Sequence, residues 1–123
     1  MARILIADDE LSMREMISLA VRLDGHQVVQ AYDIGSAISQ YALTQPDLLV
    51  LDLSMPGGGG TEVLGQLRSA GAQICPVVIV TGHLDSVPER MRSGLGAYAL
   101  IEKPFAIDTL REAVRGALAS RRA

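Results

Sequence analysis

Five short apolar runs recur along the chain, at Ile4–Ala7, Gln27–Ala31, Leu48–Leu51, Val77–Val80 and Tyr98–Ile101. Four of them are nearly continuous rather than alternating, and are rich in Val, Ile and Leu. Runs of that length read as strands buried on both faces, the condition of a parallel sheet. The fifth, Tyr98–Ile101, suits a sheet edge. Between the runs the period changes to that of an amphipathic helix, with apolar residues at i, i+3, i+4 and i+7. The first helical segment gathers Met13, Met16, Ile17, Ala20 and Val21 on one face, with Arg14, Glu15, Ser18 and Arg22 opposite. The second carries Ile34, Ala37, Ile38, Tyr41 and Ala42, and the third Val63, Leu64 and Leu67. A short fourth opens at Ser86-x-x-Glu89, a spacing at which both side chains can satisfy first-turn amides, and stops at Gly94. The last carries Ile107, Leu110, Ala113, Val114, Ala117 and Leu118. Asp33 reads as a cap before the second helix, and Asp24-Gly25-His26 as the stop and turn after the first.

Strand and helix thus alternate five times. That alternation specifies an α/β fold, a parallel sheet between two helix layers. Right-handed crossovers leave few topologies open. The expected one is flavodoxin-like: five parallel strands in the order 2-1-3-4-5 with helices on both faces. At 123 residues the chain is expected to form one domain over 1–123.

Composition narrows the function. Hydrophobic residues are 49% of the chain, enough for a core, and the net charge is −3, which argues against a broad basic face for nucleic acid. Aromatic residues are only 3%, so stacking on bases or sugars is a poor basis for binding. The single cysteine, Cys75, excludes an intramolecular disulfide and fits a reducing, cytoplasmic setting. It precedes Pro76 at the strand end opposite the ligand crevice and reads as packing. No apolar run approaches the roughly 18 residues of a membrane span. The opening MARILIADDE turns acidic too early for a signal peptide.

In open parallel sheets the ligand crevice lies outside the carboxyl ends of the strands. Strand one ends at Asp8-Asp9-Glu10, strand three at Asp52, strand four at Thr81 and strand five at Lys103. Each has an ordinary reading by itself. Asp9 and Glu10 favour a helix N-terminus through its dipole; Asp52 alone is a loop carboxylate, and Thr81-Gly82 alone is a turn. Lys103 is less easily dismissed: of eleven basic residues ten are Arg, and the one Lys stands at a strand end. The coincidence of all these positions on one edge favours chemistry. Three close carboxylates repel one another unless a cation offsets them. An all-oxygen set with few protein ligands points to Mg²⁺. With a metal in place a phosphate is tolerated, and a carboxylate such as Asp52 can act as its acceptor. Thr81 can donate a hydrogen bond to a phosphate oxygen and Lys103 can neutralise another. His83, two residues past Thr81, is a candidate to line the site; His26 reads as structural.

The stretches ILIADDE, PDLLVLDLSMPGGGG, VVIVTG and GAYALIEKPF, with their order Asp-Asp, Asp, Thr, Lys-Pro, resemble the receiver domain of two-component response regulators over essentially the whole chain. The resemblance implies that Asp52 accepts a phosphoryl group from the phosphohistidine of a histidine kinase or phosphotransfer protein. It implies that Asp8, Asp9, Asp52 and the backbone carbonyl of Ser54 hold Mg²⁺. It also implies that Thr81 and Lys103 bind and sense the phosphoryl group, and that the Lys103–Pro104 peptide is cis. Signalling would pass through the face of the fourth helix, fifth strand and fifth helix. The partner there would be a downstream effector or a fused output domain, with a phosphorylation-dependent dimer as a further outcome. Neither direct nucleic-acid contact nor a membrane is implied for this domain.

Three features depart from the family pattern. The switch position, three residues before Lys103, is usually aromatic and here is Leu100; Tyr98 lies on the same strand face by period two. Gly57–Gly60 replaces a mixed loop, so the third helix is expected to begin near Thr61. No output domain follows Ala123, which fits a stand-alone receiver or one part of a longer regulator. Two other functions compete with this reading. A flavodoxin-type electron carrier needs a phosphate loop after strand one, where this chain has Asp8-Asp9-Glu10. A degenerate receiver, binding partners without phosphorylation, is favoured by Leu100 and the glycines but opposed by the complete acidic and Lys set.

Overall fold

In the computed structural model, which describes residues 2–55, 60–69, 74–82 and 97–120, the apolar runs become five strands. They are β1 (Arg3–Ala7), β2 (Gln27–Ala31), β3 (Leu48–Asp52), β4 (Val77–Thr81) and β5 (Ala99–Glu102). Interleaved with them are helices α1 (Leu11–Leu23), α2 (Ile34–Thr44), α3 (Gly60–Ser69) and α4 (Ile107–Ser120). The segment expected to form a helix from Ser86 lies outside the described residues, so α4 is the last of the predicted helices. Every strand pairing is parallel and the order is β2-β1-β3-β4-β5, as expected.

The period of two divides the sheet into two faces. Leu5, Leu49, Leu51 and Ile79 pack with Ile34 and Ala37 of α2 and Val63 and Leu64 of α3. Ile6, Leu48, Val50 and Val80 pack with Ile17 and Val21 of α1 and Leu110 and Val114 of α4. β3 and β4 are buried at every position, because each has a strand on both sides and helices above and below. Each fully buried Leu or Ile contributes roughly 1.5–3 kcal/mol by leaving water. These two clusters therefore outweigh the solvent-screened ion pair of Arg111 with Asp24.

The local signals act as expected at the caps. Asp33 caps α2: its Oδ1 accepts the Ser36 amide at 2.7 Å, while Ser36 Oγ accepts the Asp33 amide at 3.1 Å. The Ser36 amide bond holds the Asp33 carboxyl below its ordinary range. Gly25, at φ +87°, makes the turn after α1, in the left-handed region that favours glycine. Cys75 packs against the α2/α3 cluster, and its amide donates to Tyr41 Oη at 2.8 Å.

Four details differ from the sequence expectation. β2, read from its apolar run as buried on both faces, is only partly buried along most of its length, because it is an edge of the sheet. α3 begins at Gly60, one residue early, while Gly57–Gly59 lie outside the described residues. β5 ends at Glu102, yet the Lys103 amide still donates to the Thr81 carbonyl at 2.8 Å. Ser18 is not on the solvent face of α1 but buried, because its hydroxyl finds partners there. It donates to the Arg14 carbonyl at 2.6 Å and accepts from Gln30 Nε2 at 3.1 Å. A hydroxyl satisfied in both senses is buried at little cost. No described helix is long and apolar enough to cross a membrane.

Candidate functional site

The site grows from the carboxyl ends of the two central neighbours β1 and β3. Ala7 pairs with Leu51, so the next residues, Asp8 just past β1 and Asp52 at the end of β3, stand side by side. Both alternate onto the face of Ile6 and Val50, above the α1/α4 cluster, and both are buried, at 0% and 2% exposure. The chain then turns into α1, carrying Asp9 at the surface. The carboxylates of Asp8, Asp9 and Asp52 each offer one oxygen, all within 4.8 Å of one another.

Lys103 enters the same point from beyond β5, after which the Lys103–Pro104 peptide is cis, as the resemblance implies. Its Nζ lies 2.9 Å from Asp8 Oδ2, 3.5 Å from Asp52 Oδ2 and 4.0 Å from Glu10 Oε1. Thr81, buried at 1% exposure, closes β4 next to β3 on the same edge. Main-chain amides complete the acidic group: Glu10 N–H donates to Asp8 Oδ1 at 2.9 Å and Ser54 N–H to Asp52 Oδ1 at 3.0 Å.

Burial raises the Asp52 carboxyl above its ordinary value of 3.8, and the charges of Asp8 and Asp9 push the same way. The Ser54 amide and the Lys103 ammonium oppose this without cancelling it. Burial acts to lower Lys103, but its hydrogen bond to Asp8 and the charges of Asp8 and Asp52 outweigh it. The ammonium is therefore held above its ordinary value of 10.5. One ammonium against three carboxylates leaves the group net negative. An oxygen-only, negative group of this size fits a hard divalent cation, so Asp8, Asp9 and Asp52 could hold a metal ion.

Asp8, Asp9, Asp52 and Lys103 are thus brought together, with Thr81 at the adjoining strand end. His83 lies outside the described residues. Leu100 pairs with Ile79 and packs into the α2/α3 cluster. Tyr98 does not share that face. It precedes β5, and its ring lies over Gly116 of α4, where a Cβ would collide with the phenol. The Glu10 and Ser54 amides and the Arg14 side chain also belong to the site, and no motif marks them. Arg14 donates through Nη1 to the Asp8 carbonyl at 2.7 Å and through Nε to Gln30 Oε1 at 3.1 Å. The available signal was Gln30 itself, a polar residue interrupting an apolar strand.

Comparison with known proteins bears on this geometry. Residues 4–115 match the response regulator receiver domain family. The chain is 40% identical over 118 residues to the response regulator MprA of Mycobacterium avium, covering 94% of this chain and 50% of that protein. It is 39% identical, with the same coverage, to MprA of Mycobacterium tuberculosis. It therefore spans about half the length of these curated relatives. Among solved structures it resembles NtrX from Brucella abortus in complex with ADP, with a TM-score of 0.87 and 30% identity. That match covers 98% of this chain and 28% of that one. The receiver domain of the Francisella response regulator 1452 gives a TM-score of 0.87 at 26% identity, covering 98% of this chain and 99% of that one.

Proposed function

Because this chain belongs to the response regulator receiver domains of two-component signalling, we propose that it is a phosphorelay switch whose phosphoacceptor is Asp52. The observation that carries this reading is the meeting of Asp8, Asp9 and Asp52 within 4.8 Å, with Lys103 at 2.9 and 3.5 Å from two of them. Asp8, Asp9 and Asp52, with the Ser54 carbonyl, are the residues to hold Mg²⁺, which when bound offsets carboxylate repulsion and draws charge from the phosphoryl oxygens. A carboxylate oxygen of Asp52 forms the new P–O bond as the P–N bond of a phosphohistidine breaks, and the electron pair leaves with the imidazole nitrogen. Lys103 neutralises one phosphoryl oxygen and the Thr81 hydroxyl donates to another. The donor is a histidine kinase or phosphotransfer protein of the cytoplasm. The receiver unit spans 1–123, and its output partner is a downstream protein or a fused domain. Incubating the protein with Mg²⁺ and acetyl phosphate should add one phosphoryl mass to Asp52. A folded protein that gains no mass under these conditions would instead be a phosphorylation-independent binding module.

The state of Asp52 passes to α4 and β5 by shifting a pre-existing equilibrium. Leu100 already fills a place in the α2/α3 cluster, cannot hydrogen-bond and has no ring to swing when Thr81 moves. The two states then differ little in packing, and coupling should lie near ~1 kcal/mol, the low end of the usual range. Amide shifts on α4 with and without BeF₃⁻ should therefore be small in wild type and larger in Leu100→Tyr. Large wild-type shifts that the substitution leaves unchanged would count against a weak switch.

A further inference from the structure

We infer that Arg14 is a positioning residue for the cation-binding turn, acting through the main chain of Asp8. This rests on the metal site proposed above. The Asp8 carbonyl belongs to the rigid peptide plane that leads into Asp9. Arg14 grips that carbonyl from below, with Nη1 at 2.7 Å, while its own amide donates to the Glu10 carbonyl at 3.0 Å. One residue thus holds both sides of the turn that presents Asp9.

Arg14 is itself held. Its Nε donates to Gln30 Oε1 at 3.1 Å, Gln30 Nε2 donates to Ser18 Oγ at 3.1 Å, and Ser18 Oγ returns to the Arg14 carbonyl at 2.6 Å. This is a closed ring of polar contacts between α1 and β2, with Ser18 buried inside it. It accounts for the burial of Ser18 and for the polar Gln30 within an apolar strand, which the helix and strand patterns leave unexplained. The guanidinium suits the task because its donors are set in a rigid planar fork that spans two acceptors; an ammonium is a point charge on a flexible stem. The Asp8 carboxylate faces the site, with Oδ1 accepting from the Glu10 amide and Oδ2 from Lys103, so the carbonyl is the handle that leaves the carboxylate for the cation.

Charge and positioning predict opposite signs, which makes the inference testable. Deleting a positive charge beside an acidic group should tighten cation binding. Loosening the turn should weaken it. Outer contacts of this kind are typically worth ~10–100-fold in metal affinity, and a contact to the main chain of one ligand should sit near the lower end. Mg²⁺ titration of the full chain by calorimetry should therefore give a Kd about tenfold higher for Arg14→Ala and for Arg14→Lys, which keeps the charge and loses the fork. Gln30→Leu, a second variant that leaves Arg14 in place, should move the Kd the same way by less. In the metal-free proteins, exchange of the Glu10 amide should be faster in all three, with a denaturation midpoint close to wild type. Mg²⁺ bound equally or more tightly by both Arg14 variants overturns the inference, as does an unaltered Glu10 amide. Wild type that fails to bind Mg²⁺ overturns the proposed metal site itself, and the Kd arm falls with it. Wild-type binding with unchanged variants overturns only the role of Arg14.

Discussion

Asp52→Asn is expected to abolish phosphoryl acceptance and, at the same time, to stabilise the metal-free protein. The amide has the shape of the carboxylate but is a poor nucleophile, so intact mass after acetyl phosphate treatment should show no added phosphoryl group. The fold should survive, because an asparagine oxygen can still accept the Ser54 amide and Lys103 keeps its 2.9 Å contact with Asp8. The gain in stability follows from the direction of the Asp52 shift. Burial beside Asp8 raises its folded-state pKa above 3.8, so the folded chain holds the proton more tightly than the unfolded one. Stability from this group is then greatest below 3.8 and falls as pH rises through the raised value. At neutral pH the full cost is present, and the neutral amide removes it. Thermal unfolding without Mg²⁺ should give a higher midpoint for Asp52→Asn at neutral pH, with the difference shrinking as pH is lowered towards 3.8. A variant that still accepts phosphoryl at the wild-type rate would place the acceptor elsewhere.

Asp9→Ala should remove most of the Mg²⁺-dependent stabilisation and slow phosphorylation in proportion. Wild type should be stabilised by ~2.7 kcal/mol when Mg²⁺ is a hundredfold above its Kd, because the ion binds the folded chain alone. Asp9 supplies one of three carboxylates yet is exposed, so its removal takes a ligand without opening the core. The substitution also takes away one of the charges that raise Asp52, so the metal-free variant should be no less stable than wild type. Thermal midpoints across a Mg²⁺ series would show a steep rise for wild type and a nearly flat line for Asp9→Ala. Two parallel rising curves would move the cation away from Asp9.

Much of this protein is legible in its sequence because the deciding forces are local or repetitive. Buried strands such as β3 and β4 announce themselves through the unbroken apolar runs Leu48–Leu51 and Val77–Val80, since both of their faces are covered. A stripe such as Ile17, Ala20 and Val21 announces one buried helix face. Once five parallel strands are ordered 2-1-3-4-5, the residues just past their carboxyl ends must share an edge. That is why Asp8, Asp52, Thr81 and Lys103 could be grouped before any distance was known.

The tertiary structure decided what depends on partners remote in the chain. It paired Lys103 more closely with Asp8, at 2.9 Å, than with Asp52, at 3.5 Å. It buried Ser18 and joined it to Gln30 and Arg14, and through Arg14 to the Asp8 carbonyl. It tied Asp24 to Arg111, 87 residues away, and laid Tyr98 over Gly116 rather than beside Leu100. Hydrophobic periodicity carries no information on such pairings, because burial is non-directional and scales with area. Hydrogen bonds and ion pairs are directional and change over tenths of an ångström. The pattern of apolar residues therefore determined the sheet and the edge on which the chemistry stands, and only the packed chain determined which polar atom there holds which.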